Sequence, residues 1–138
     1  MIEKYYLNGD VLPTIPVPHD CVIKEITIDD EFLVLKFEDD ISYHDSIECL
    51  NKNARSLVIR IHLNDPLFYA YEHRLKHVFG GEGYYLISNE KLQNLCKKHV
   101  EYLYHYICFE QIMIKLFCGG YYLLDVYSDY IEFDWIEK

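Results

Sequence analysis

Apolar and polar positions alternate along most of this chain with a period of two, which is the spacing of a half-buried β-strand rather than a helix. The strictest run is 57–63, where Leu57, Ile59, Ile61 and Leu63 alternate with Val58, Arg60 and His62 until Asn64-Asp65-Pro66 stops it. Residues 21–28 and 32–38 predict a β-hairpin. In its second arm Leu33, Leu35 and Phe37 share one face, and Asp29-Asp30-Glu31 supplies the turn. In the first arm the apolar parity switches between Ile23 and Ile26, which predicts a β-bulge near Lys24-Glu25.

The remaining segments are weaker versions of the same signal. Residues 1–18 carry Pro13, Pro16 and Pro18, each lacking a backbone donor, and predict an irregular arm with a short strand near 5–7. A polar loop is expected over 39–53. Residues 68–79 fit a strand or a helical face. The strand is preferred, because Gly80-Gly81-Glu82-Gly83 before Tyr84-Tyr85-Leu86-Ile87 reads as a hairpin turn and its return arm. Ser88 is a helix cap, with Lys91, Leu92, Leu95 and His99 following at helical spacing. From there 102–107, where strand and helix signals overlap, 112–117, 122–126 and 131–135 predict a meander of three or four strands, with a tight turn at Gly119-Gly120. No repeat, low-complexity tract or linker divides the chain. A single domain over 1–138 is expected, mainly β within the α+β class: a strongly curved antiparallel sheet or sandwich of about eight strands, with one short helix near 88–99.

Composition strengthens the β reading. Of the 138 residues 51% are hydrophobic, and there are 14 Tyr beside 7 Phe and 1 Trp. Tyrosine suits a pleated, half-buried surface because its ring packs while its hydroxyl reaches water. The charge balance, 23 acids against 13 bases for a net −10, disfavours nucleic acid and anionic membranes and favours a basic protein partner. Met1-Ile2-Glu3-Lys4 opens no secretory signal. The most apolar stretch, 102–118, is interrupted by His105, Glu110, Gln111 and Lys115, short of the roughly 18 apolar residues of a membrane span. An odd set of five cysteines at irregular spacing is no disulfide framework, so a reduced, cytoplasmic protein is expected.

Several clusters invite chemistry. His19-Asp20-Cys21 and Tyr43-His44-Asp45 hold the residue types of a hydrolytic set, but adjacent side chains in an extended segment point to opposite faces and cannot form a relay. Cys21 is expected to be buried at a strand start. A zinc site would need His73 and His77, four apart, to meet Cys96 and His99, three apart; no CxxC or HExxH motif supports it. Cys108 and Cys118 read as core thiols. Asp29-Asp30 and Asp39-Asp40 lack a calcium-loop pattern and read as hairpin ends. Nothing resembling a P-loop or dinucleotide fingerprint is present, and no cofactor is expected.

The tyrosines remain. Tyr102, Tyr104 and Tyr106 are expected on one face of one strand, with Tyr121, Tyr127 and Tyr130 on its neighbours, as a ligand-stacking platform, a partner-binding stripe or the outer wall of the core. The pattern His19-Asp20-Cys21-x-Ile23, then Leu33-x-Leu35-x-Phe37-Glu38-Asp39, with the ending Ile131-Glu132-Phe133-x-Trp135, is similar to small β-rich bacterial families. Some of these are grouped with the immunity proteins of polymorphic toxin systems. That resemblance implies a binding protein without an active site. The leading expectation is therefore a non-catalytic protein-binding module, an immunity-type inhibitor of a basic partner. The alternatives are a small-molecule binder or enzyme with a pocket inside the curved sheet, around His62, His73 or His105, and a zinc protein.

Overall fold

The computed structural model describes residues 1–64, 68–75 and 82–138. Along the chain lie β1 (Ile2–Tyr6), β2 (Val22–Ile28), β3 (Phe32–Phe37), α1 (Asp45–Leu50), β4 (Ala54–His62), β5 (Tyr69–Leu75) and β6 (Glu82–Ile87). They are followed by α2 (Asn89–Asn94) with a 3₁₀ turn (Leu95–Lys97), β7 (Val100–Cys108), β8 (Gln111–Phe117), β9 (Tyr121–Tyr127) and β10 (Tyr130–Glu137). All strands belong to one open antiparallel sheet, ordered β1-β10-β4-β3-β2-β7-β8-β9-β5-β6. The mainly β expectation holds, with ten described strands rather than about eight. The expected loop at 39–53 contains α1, a second helix whose six residues bury only Ile47.

The sheet has a seam. β2 and β7 share only two registered pairs, Val22 with Glu101 and Ile23 with Val100. Below the seam the 18–21 corner continues the pairing: the Asp20 amide donates to the Tyr102 carbonyl at 2.8 Å, and the Tyr102 amide to the Cys21 carbonyl at 2.9 Å. Above it β2 parts from β7, and α2 fills the gap, with the Gln93 side-chain amide donating to the Ile26 carbonyl at 3.2 Å. The cap forms as its sequence predicts, the Ser88 hydroxyl accepting from the Lys91 amide. The shift near Lys24-Glu25 is also present, as a break in β2–β3 register between Ile23 and Glu25. It lets both Ile23 and Ile26 point inward.

β9 pairs with β8 and β5, whereas β10 lies between β1 and β4, so the expected meander comprises β7, β8 and β9. The chain crosses between the two halves of the sheet through Ser128-Asp129. Buried side chains from both halves, among them Leu57, Ile59, Ile114, Leu116, Phe133 and Trp135, belong to one cluster, and the sheet curves around that single core. Each such side chain contributes about 1.5–3 kcal/mol on burial. Of the contested segments, 101–107 and the described part of 68–79 are strands.

Candidate functional site

A second bulge decides where the tyrosines go. In the β7–β8 ladder Tyr102 pairs with Leu116 but Tyr104 pairs with Lys115, leaving Leu103 unopposed. The inward parity therefore changes, and Val100, Tyr102 and then His105 are buried. This corrects the expectation that Tyr102, Tyr104 and Tyr106 share a face. Tyr102 lies in the core, 6.0 Å from the Phe37 ring centroid, while Tyr104 and Tyr106 point outward.

Outward-facing residues of five strands then fall into cross-strand rows, because directly opposed residues of an antiparallel pair project to the same side. Tyr106, Met113, Asp125 and Tyr69 form one row, and Tyr104, Lys115, Leu123, Tyr71 and Leu86 the next. Beyond them Phe117 faces Tyr121, and His73 faces Tyr84. This surface is aromatic: Tyr69, Tyr84, Leu86, Tyr104, Tyr106 and Tyr121 are exposed, while Tyr71, Met113, Phe117 and Leu123 between them are half-buried. Its charged groups are few: Asp125 accepts from Gln111 at 2.6 Å, and Lys115 lies over the Tyr121 ring at 4.6 Å. Tyr104, Tyr106, Tyr121 and Tyr127 of the expected stripe lie on this side. Its other members, Tyr69, Tyr71, Tyr84, Leu86 and Lys115, were not singled out by the sequence. Their alternation was readable, but their placement beside β9 depends on nonlocal pairing.

Tyr130 belongs to the opposite half of the sheet. It pairs with Tyr6, stacks on the His62 ring at 4.6 Å and 10°, and receives the Lys4 ammonium at 4.1 Å. Nδ1 of His62 donates to Asp129 at 2.5 Å, and burial raises the Tyr130 phenol. The next row runs Lys4, Glu132, Arg60 and Val34, and Arg60 also holds Asp134 at 3.2 Å. Its cations are thus matched by carboxylates.

The two hydrolytic-looking triplets meet in space. His19, Asp20, Tyr43, His44, Asp45 and Ser46 line one depression of about 330 Å³. Ser46 donates to the His19 carbonyl at 3.0 Å, Tyr43 lies 4.2 Å from the His44 ring, and Nε2 of His44 is buried without a partner. The thiol of Cys21 is fully buried and pushed up to about 12 by that burial, so it is no thiolate nucleophile. The expected burial of Cys21 holds. Among the other thiols Cys108 is exposed, which corrects its reading as a core thiol, whereas Cys118 is half-buried and packs against the core.

The zinc candidates lie on separate elements. His73 is on the outer aromatic face, His99 pairs with Glu101 at 3.1 Å, and Cys96 packs against the core with its thiol raised to about 11 by burial. His77 lies outside the described residues. Among the described residues no three His, Cys, Asp or Glu side chains stand close enough to hold a metal, and no helix is long and apolar enough to cross a membrane. No family model, curated protein or solved structure matches this chain.

Proposed function

We propose that this chain is a non-catalytic protein-binding module whose outer aromatic face, from β7 across to β6, docks a basic protein. The observation that carries the reading is the registered surface of Tyr104, Tyr106, Tyr121, Tyr69, Tyr71 and Leu86 across five strands. Contiguous apolar surface rimmed by polar groups marks interaction sites, and tyrosine is a frequent anchor there. The −10 charge acts at longer range by speeding encounter with a cationic partner, and Asp125 stands within the face itself, between Met113 and Tyr69. The similarity of residues 19–39 and 131–135 to small β-rich bacterial families, some of them grouped with toxin-immunity proteins, points the same way, and the role proposed is an immunity-type inhibitor in the bacterial cytoplasm.

The test is affinity capture from bacterial lysate, at low salt and above about 0.3 M, with wild type and a Tyr104→Ser/Tyr106→Ser variant in parallel. The expected result is a basic protein held by wild type at low salt, released at high salt and not held by the variant. Failure of wild type to hold any protein, or equal retention by the variant, would overturn the reading.

A further inference from the structure

On the same side of the sheet, His73, Gly83, Tyr84, Lys115 and Tyr121 line a depression of about 370 Å³. Its walls are rings: His73 lies 5.3 Å from Tyr84 and 6.3 Å from Tyr121, both edge to face, and Phe117 buttresses Tyr121 at 5.4 Å. Gly83 leaves its lining open, since a Cβ there would meet only the Tyr85 ring, at 3.9 Å.

Among the described residues the cation in this depression has no matching anion. Among the described residues two cationic side chains are half-buried, Arg60 and Lys115; the remaining lysines and arginines are exposed. Arg60 is held by Asp134 at 3.2 Å, as partial dehydration of a charge requires. Lys115 is held by no described carboxylate, although acids outnumber bases 23 to 13 in this chain. Its ammonium lies over the Tyr121 ring, a weaker partner than a carboxylate. An ammonium on a half-buried stem, set beside stacking surfaces, suits an anion carried on a flat ring. The volume is within the range of small-ligand sites.

We propose that this depression binds a planar aromatic carboxylate, with its ring against Tyr84 and Tyr121 and its carboxylate on the Lys115 ammonium. The site does not depend on protein docking and stands or falls on its own measurement.

The test is NMR titration of the ¹⁵N-labelled full chain at constant ionic strength with three probes: indole-3-acetate, its uncharged analogue indole-3-acetamide, and acetate. The expected result is saturable binding of indole-3-acetate, with shifts at the amides of Tyr84, Lys115 and Tyr121. The amide should bind at least about tenfold more weakly, the loss expected when a charge-assisted hydrogen bond is removed. Acetate should not saturate. Lys115→Met keeps the apolar stem and should bind both indole probes equally, whereas Lys24→Met, at an exposed lysine, should behave as wild type. Equal binding of the two indole probes by wild type would overturn the assignment. So would retained discrimination in Lys115→Met, or the absence of saturable shifts up to about 20 mM, a concentration well above the weak end of specific ligand affinities.

Discussion

The Tyr102 hydroxyl lies 2.6 Å from Nδ1 of His105 inside the core, three residues away along the same strand and across the Leu103 bulge. Nε2 of His105 faces the Ile15 carbonyl at 3.2 Å, and a carbonyl can only accept. That fixes the tautomer: Nε2 carries the proton, Nδ1 accepts, and the Tyr102 hydroxyl donates. The contact also ties the proline-rich arm to the sheet. Tyr102→Phe removes the donor and leaves a buried nitrogen unpaired, at an expected cost of about 1–3 kcal/mol in chemical denaturation.

The same pair sets a pH dependence. Burial holds the His105 imidazole below its ordinary 6.5, because the charged form is poorly solvated in the core. Between that value and the lower folded one, the unfolded chain binds a proton that the folded chain does not. Stability therefore falls as pH drops through this window, and above about 6.5 the effect is absent. The acids held low by hydrogen bonds, Asp29 by the Phe32 and Glu31 amides and Glu72 chiefly by Lys91, begin to act only below their ordinary 3.8 and 4.5. Denaturation of His105→Gln at a series of pH values should show the slope below 6.5 removed and the acid limb kept.

The Leu103 bulge predicts opposite outcomes for neighbouring tyrosines. Tyr102→Ala empties a core position and should cost about 3–5 kcal/mol. Tyr104→Ala and Tyr106→Ala, at residues 50% and 58% exposed, should each stay within about 0.5 kcal/mol of wild type. Urea midpoints of the three variants distinguish this register from an unbroken alternation, in which all three would behave alike.

That contrast shows what was legible in the sequence and why. The β2 bulge could be read because Ile23 and Ile26 are unambiguous core markers on either side of it. The β7 bulge could not, because tyrosine serves equally well inside and outside, so Tyr102 and Tyr104 carry no parity signal. α1 escaped notice because six residues burying only Ile47 set no helical period. Strand alternation was local and visible, but strand order was not: β10 lies between β1 and β4, and the aromatic face exists only once β5 is placed beside β9. The polar depression was missed for the same reason. Adjacent side chains within one triplet point apart, yet the two triplets fold together and line one depression.

At the β7–β8 turn Glu110 has φ 55, in the left-handed region that side chains with a Cβ adopt at a cost. Its amide donates to the Leu7 carbonyl and its own carbonyl accepts from the Ser128 amide, so the conformation joins the arm to the β9–β10 crossing. Glu110→Gly should match or exceed wild-type stability, by up to about 1 kcal/mol, as strain relief outweighs the added freedom of the unfolded chain. Glu110→Val, β-branched, should lose about 1–2 kcal/mol. Thermal melts of the pair check the sign of both.

The five free thiols should separate by reactivity. Thiolate is the reactive form, and both exposure and charge decide how much of it a reagent meets. Cys49 and Cys108 are exposed, and Cys96 is half-buried with its thiol raised to about 11 by desolvation. Cys21 is fully enclosed, raised to about 12 chiefly by burial, and donates to the His19 carbonyl at 3.8 Å. Timed labelling of the native chain at neutral pH, read by peptide mass spectrometry, should modify Cys49 and Cys108 first. Cys21 should react only at the rate of unfolding, and denaturant should equalise all five. Rapid native labelling of Cys21 would mean that the 18–21 corner opens without global unfolding, and that the seam between β2 and β7 is the weak point of the sheet.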